Sequence, residues 1–189
     1  MGLQTFQEAL VAQSVSGSLF NTFTTAKTVI HPTSLIQLPP NYFYVGKQMR
    51  TTVWGSLSNI VTTPGTVTFK IMMGSIAVWS SGTIQMNATA HTNLPFWLVV
   101  LWRCHAIGNS TSAQIMGGGV LQGIHFTLTA AQVDAVNTSG SFSVPAIAPA
   151  VGTGFDSTIS NVMDFFVAFS INDAGNNVTI QQYTVEAMN

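Results

Sequence analysis

The stretch Met49-Arg50-Thr51-Thr52-Val53-Trp54-Gly55-Ser56-Leu57 decides the fold class. Its odd positions read Met49, Thr51, Val53, Gly55 and Leu57, while its even positions carry Arg50, Thr52, Ser56 and one tryptophan, Trp54. A strand sends alternate side chains to opposite faces, so this pattern is a half-buried β-strand with one face toward a core. Thr62-Thr63-Pro64-Gly65 is a turn signal. Beyond it Val67, Phe69 and Ile71 alternate with Thr68 and Lys70. The two runs read as a β-hairpin.

The same grammar extends in both directions. Gly74 punctuates, and Ile76–Trp79 and Ile84–Met86 form shorter strands. Leu94 to Cys104 is apolar on both sides, as expected of a central strand covered on both faces, and its Trp97 and Trp102 fall on opposite faces. Ala113–Met116 reads as a strand, Gly117-Gly118-Gly119 as a bend, and Val120–Leu128 as a further strand or an irregular crossing. Thr129–Thr138 has room for one helical turn, and Pro145–Gly154 reads as an ordered crossing. Val162 to Ile171 puts Met163, Phe165, Val167, Phe169 and Ile171 on one face. After the turn Asp173–Asn177, Val178 and Ile180 stand opposite Thr179, Gln181 and Tyr183, which suggests a closing antiparallel hairpin.

Some eight to ten strands without helices of useful length predict an all-β antiparallel sandwich, and the two-sheet arrangement points to a jelly-roll-like domain over residues 18–189. An immunoglobulin-type sandwich is the alternative, but its Cys…Trp…Cys spacing is absent. Residues 1–17 differ. Leu3, Phe6, Leu10 and Val11 would share one side of a helix ended by Gly17, giving a short N-terminal helix or an arm docking on a neighbour. A terminus packed on its own domain is the competing expectation. Pro32–Pro40 is expected to begin or flank an edge strand.

Composition narrows the function. Five Lys and Arg and six Asp and Glu make the chain 6% charged, against 47% hydrophobic, with a net charge of −1 and a mean hydropathy of +0.38. Ordinary soluble domains are about one quarter charged. The polar surface must therefore come from Ser, Thr, Asn, Gln and Gly, which lose little solvation when another protein covers them. That suits a permanent assembly. The longest apolar run, Leu94–Trp102, is too short for a membrane-spanning helix, and no signal peptide or myristoylation pattern is visible at the N-terminus. Lys27, Lys47, Arg50, Lys70 and Arg103 are scattered, so neither nucleic acid nor an anionic membrane is an expected partner. One cysteine, Cys104, excludes an internal disulfide framework and reads as a small buried hydrophobe.

No catalytic constellation emerges. Asp156, between Gly152-Thr153-Gly154-Phe155 and Ser157-Thr158, is either a cation or active-site loop or, more simply, an Asx-turn. Asp164 stands opposite Phe165 and is expected to pair with a hydroxyl or a cation at a subunit contact. His31, His91, His105 and His125 share no metal-ligand spacing, and Cys104 and His105, as strand neighbours, point apart and cannot act as nucleophile and base. The four Asn-X-Ser/Thr matches, at Asn87, Asn109, Asn137 and Asn177, are discounted as chance in a Ser/Thr-rich chain. No enzyme, cofactor or metal is expected.

Three stretches, VGKQMRTTVWGSLSNIVTTPGTVTFKIMMG (Val45–Gly74), TAHTNLPFWLVVLWRCHAIG (Thr89–Gly108) and PAVGTGFDSTISNVMDFFVAFSINDAGNNVTIQQYTVEAMN (Pro149–Asn189), together resemble a family of virion proteins of tailed bacteriophages. The match covers roughly half the chain, rests on turns and strands, and brings no functional residues with it. It implies a structural particle component: a capsid decoration (cement) protein on the head surface, made in the host cytoplasm, or a tail or baseplate component. The expected partners are the chain itself, as a homotrimer, and the phage major capsid protein. Leu3, Phe6, Leu10, Trp54, Trp79, Asp156 and Asp164 are the candidate interface residues. From another class, a carbohydrate-binding jelly-roll module is an alternative, because Trp54, Trp79, Trp97 and Trp102 are the residue type that stacks on sugars; as core or interface residues they would need no sugar.

Overall fold

The computed structural model describes residues 7–60, 63–124, 126–127, 140–145 and 150–188. In chain order its strands are β1 (Glu8–Ala12), β2 (Phe20–Asn21), β3 (Lys27–Thr28), β4 (Ile36–Leu38), β5 (Gln48–Asn59), β6 (Thr66–Met73) and β7 (Ile76–Ser80). These are followed by β8 (Ile84–Met86), β9 (His91–Ala106), β10 (Gln114–Gln122), β11 (Phe126–Thr127), β12 (Ser141–Val144), β13 (Asn161–Phe169) and β14 (Asn177–Ala187). A single 3₁₀ turn, Pro32–Ser34, is the one helical element among the described residues.

Every strand pair is antiparallel, and the strands form two sheets. The front sheet runs β1-β14-β5-β9-β10-β12, with β2 also on β14. The back sheet runs β11-β8-β6-β13-β3, with β4 also on β13 and β7 also on β6. The result is an all-β, jelly-roll-like sandwich.

The core lies between the sheets and is built by strand alternation. Met49, Val53 and Leu57 on β5 and Phe96, Leu98, Val100 and Trp102 on β9 point inward from the front sheet. Val67, Phe69 and Ile71 on β6 and Met163, Phe165, Val167 and Phe169 on β13 meet them from the back sheet. Rings interlock across the gap: Phe69 and Phe96 centroids are 5.4 Å apart, and Phe165 and Tyr183 6.0 Å.

Both expected hairpins are overturned. β5 pairs with β9 and β14 in the front sheet, whereas β6 pairs with β13, β7 and β8 in the back one. β13 and β14 likewise belong to opposite sheets. Each connection is an arch from sheet to sheet, and the two arches are bound to each other. Asn176, fully buried, accepts from the Ile60 N–H through Oδ1 at 3.1 Å and donates through Nδ2 to the Pro64 carbonyl at 3.0 Å. Thr66 and Ser170 close the seam with Ser170 N–H to Thr66 O and Thr66 N–H to Ser170 Oγ. Alternation fixes which face of a strand is buried; it says nothing about which strand lies beside it.

Three local expectations also change. Leu10 and Val11 lie in a strand, not a helix: β1 pairs with β14 and breaks register between Ala9 and Val11, and Gln13 and Gly17 continue alongside by donating to Tyr183 O and Ile180 O. Leu3 and Phe6, and the helical turn expected at 129–138, lie outside the described residues. Gly117–Gly119 are no bend but the middle of β10, opposite Trp102, Leu101 and Val100. A Cβ on Gly117 would sit 2.7 Å from Trp102 Cβ and 3.1 Å from Trp79 Cδ1, so two indoles occupy the space a side chain would need. Finally, a bulge between Ile180 and Gln182 leaves both Gln181 and Gln182 outward and turns Tyr183 into the core beside Val178, Ile180 and Val185.

Candidate functional site

β9 is central, as its apolar run predicts, but only one of its faces is covered. Phe96, Leu98, Val100, Trp102 and Cys104 are buried, and the alternate residues from Pro95 to His105 form an outward stripe that the sandwich leaves uncovered. Its neighbours extend this stripe. Trp54 projects from β5 at 47% exposure, Val120 from β10 at 43%, and Leu101 from β9 itself at 43%.

The strand register builds a specific row within this face. Gln182 of β14 stands opposite Trp54 of β5, Trp54 opposite Trp97 of β9, and Trp97 opposite Gln122 of β10. The two indoles stack, with centroids 5.5 Å apart and planes 27° from parallel. The row therefore reads amide, indole, indole, amide across four strands, and Gln122 Nε2 reaches on to Ser141 Oγ on β12 at 3.4 Å. Beside it lies a groove of about 240 Å³, lined by Trp54, Pro95, Phe96, Trp97, Gln122, Gly123 and Ile124. Among the described residues none that lines it is ionisable. Trp97 Nε1 is buried with no hydrogen-bond partner, so the inner indole is held by packing.

Charge on this face is set apart from the row. Arg50 Nε donates to Glu186 Oε2 at 2.6 Å, and Gln7 adds a contact to the other Glu186 oxygen. The Arg50 hydrogen bond is the main reason the Glu186 carboxyl is held below its ordinary value. Arg50 precedes Trp54 by four strand residues, roughly 13 Å.

The remaining candidate residues are not gathered here. Trp79, expected at an interface, is corrected to the core: it is 4% exposed and its Nε1 donates to the Gly117 carbonyl at 3.1 Å. Trp102 is likewise internal, donating to Thr51 Oγ1 at 3.0 Å. Asp156 sits at one end of the sandwich and accepts through Oδ1 from the Thr158 N–H at 2.8 Å and its hydroxyl at 2.6 Å. Chiefly the Thr158 hydroxyl, with backbone amides, holds this carboxyl low. That geometry is an Asx-turn. Asp164 lies on the outward face of β13, where Oδ1 accepts from Thr28 Oγ1 at 2.8 Å and from the Phe165 N–H. Its hydroxyl partner is thus within the chain, and burial pushes its carboxyl up. Among the described residues no group of three or more His, Cys, Asp or Glu is placed to hold a metal ion.

Sequence reasoning missed Gln122 and Gln182. Neither has a motif around it; only the register of β10 on β9 and of β14 on β5 places them at the ends of the indole pair.

No protein-family model matches the chain, and no curated protein matches it. Among solved structures, the chain is similar to the CBM2 module of the evolved Dit of Lactobacillus casei BL23 phage J-1, at 11% identity and a TM-score of 0.34 over 99% of this chain and 98% of that one. A TM-score of that size leaves function to be read from the surface itself.

Proposed function

We propose that this chain is a structural component of a tailed-bacteriophage particle, acting by binding and not by catalysis, and that it decorates the capsid head as a symmetric homo-oligomer. One observation carries the reading. The described residues alone expose fourteen large hydrophobic side chains, among them Leu19, Val45, Trp54, Ile107, Ile124 and Ile159, while the whole sequence holds only five basic and six acidic residues. A monomer in water keeps a charged, patch-free surface to avoid sticking. This surface is poor in charge and carries many exposed apolar side chains, and covering it costs little desolvation because so few charges must lose water. The resemblance of Val45–Gly74, Thr89–Gly108 and Pro149–Asn189 to phage virion proteins supplies the particle.

In this role the major capsid protein is the partner, and many weak apolar contacts repeated by symmetry supply the strength that one interface lacks after the entropic cost of association. A protein that binds only the assembled lattice stabilises it by mass action. Adding the chain to capsids stripped of it is therefore expected to raise their rupture temperature, and no shift at saturating occupancy overturns the cement role. Light scattering after size exclusion is expected to give a mass near three times 20.1 kDa. A tail or baseplate position is the other placement within this class. Immunogold labelling separates the two, since label over the whole head and label at a single vertex exclude each other.

A further inference from the structure

We propose that the row Gln182–Trp54–Trp97–Gln122 is a binding site for a neutral oligosaccharide. This goes beyond the structural role above and does not depend on it.

The ligand class follows from what the row offers. Trp54 is 47% exposed, and the Trp97 ring stacked against it fixes the orientation of its indole. An indole face carries negative quadrupole charge and attracts the weakly positive C–H edge of a flat apolar ligand. At each end of the indole pair stands an exposed glutamine, offering both a donor amide and an acceptor carbonyl. A ligand matching this row has one apolar face, hydroxyls around its rim and no charge. That is a pyranose ring. The groove of about 240 Å³ beside Trp97 is below the roughly 300–1,000 Å³ of clefts that engulf drug-sized molecules, so it seats one ring and leaves the rest of a chain on the open sheet. From Gln182 to Gln122 the row spans three strand spacings, roughly 14 Å, long enough for more than one ring.

Other stacking ligands fit less well. Single-stranded nucleic acid also stacks on exposed indoles, but it needs cations along its backbone, and the row has none. Phosphorylated headgroups fail for the same reason. A protein partner remains as an outcome of the test.

The test titrates the full chain with cellohexaose, maltohexaose and chitohexaose at up to millimolar concentration, reading tryptophan fluorescence and calorimetric heat. Binding of at least one is expected, with Trp54→Ala weakening it about tenfold, the scale of one lost stacking contact. Gln182→Ala, at an exposed position that cannot disturb the core, is expected to weaken it less, and Leu101→Ala, on the same face away from the row, to leave it unchanged. If none of the three binds, or if Trp54→Ala binds like the parent chain, the proposal is overturned. A Trp54→Ala chain of lower native mass, with no sugar bound by the parent, reassigns the row to a protein contact. Native mass also keeps the two readings separable: an oligomer without sugar binding sinks the saccharide site alone, and a monomer that binds sugar sinks the assembly reading alone.

Discussion

The four tryptophans form two contrasting pairs. Trp79 and Trp102 face into the sandwich, are almost wholly buried, and each donates its indole N–H to a partner, Gly117 O and Thr51 Oγ1. Trp54 and Trp97 face away from it, hold each other by ring stacking, and leave Trp97 Nε1 unpartnered. Trp97 and Trp102 belong to one strand, five residues apart, so the parity of that interval alone assigns one to the core and the other to the surface. The inner pair is tied in by hydrogen bonds as a structural element must be. The outer pair is held by its ring stacking instead.

The contrast predicts unequal costs. Trp102→Ala is expected to lower unfolding free energy by about 3–5 kcal/mol, the range for emptying a large aromatic site, whereas Trp54→Ala is expected to cost about 0.5–1.5 kcal/mol, the worth of one stacked aromatic pair. Denaturant titration checks both, and equal losses would break the comparison. Gly117→Ala and Gly118→Ala sharpen it one strand away. The first Cβ meets Trp102 and Trp79, and the second has nothing nearer than Val144 O at 3.9 Å. A loss of about 1–3 kcal/mol is expected for Gly117→Ala from overpacking, and almost none for Gly118→Ala. Thr51→Val removes the acceptor of Trp102 Nε1 without changing shape, and the stranded N–H is expected to cost about 1–2 kcal/mol.

The smallest effect concerns Asp164, which faces outward yet is half-buried. Its folded-state pKa lies above the ordinary carboxylate value because of burial. On raising the pH the unfolded chain releases this proton first, so the contribution of Asp164 is full below the unfolded value and is lost as pH rises through the folded one. Asp164→Asn keeps an acceptor for Thr28 and the Phe165 N–H without the charge. Its melting temperature should match the parent's in acid and exceed it slightly near neutrality; a lower value at neutral pH would show that the carboxylate is stabilising.

How far the sequence carried these assignments differs between levels. The inward residues of β5, β6 and β13 were legible, because period-two alternation is a local property of the chain. The outward half of β9 was misread as covered: Trp97, Val99 and Leu101 are as apolar as core residues, and periodicity cannot distinguish a second layer from an exposed face. Tyr183 was assigned to the wrong side because one extra residue in the bulge at Gln181 reverses parity for the rest of the strand. The N-terminal segment spaced Leu10 and Val11 as a helix would, but β14 offered an unpaired edge and the segment filled it. The Gln–Trp–Trp–Gln row was invisible, since its members come from residues 54, 97, 122 and 182 and meet only through pairing.

The paired arches held by Asn176 bear on how the chain reaches this state. β5 obtains its two neighbours from β9 and from β14, so a strand begun at Gln48 waits on one that starts at Asn177, and β1 depends on the same late arrival. Few pairings form between neighbours in sequence, which places the protein among slow-folding, high-contact-order topologies. During synthesis β5, β9, β10 and β12 can pair with one another, but β1 and one edge of β5 stay unpaired until β14 emerges, and a nascent chain stopped before Asn177 offers β1 and β5 as open edges to other such chains.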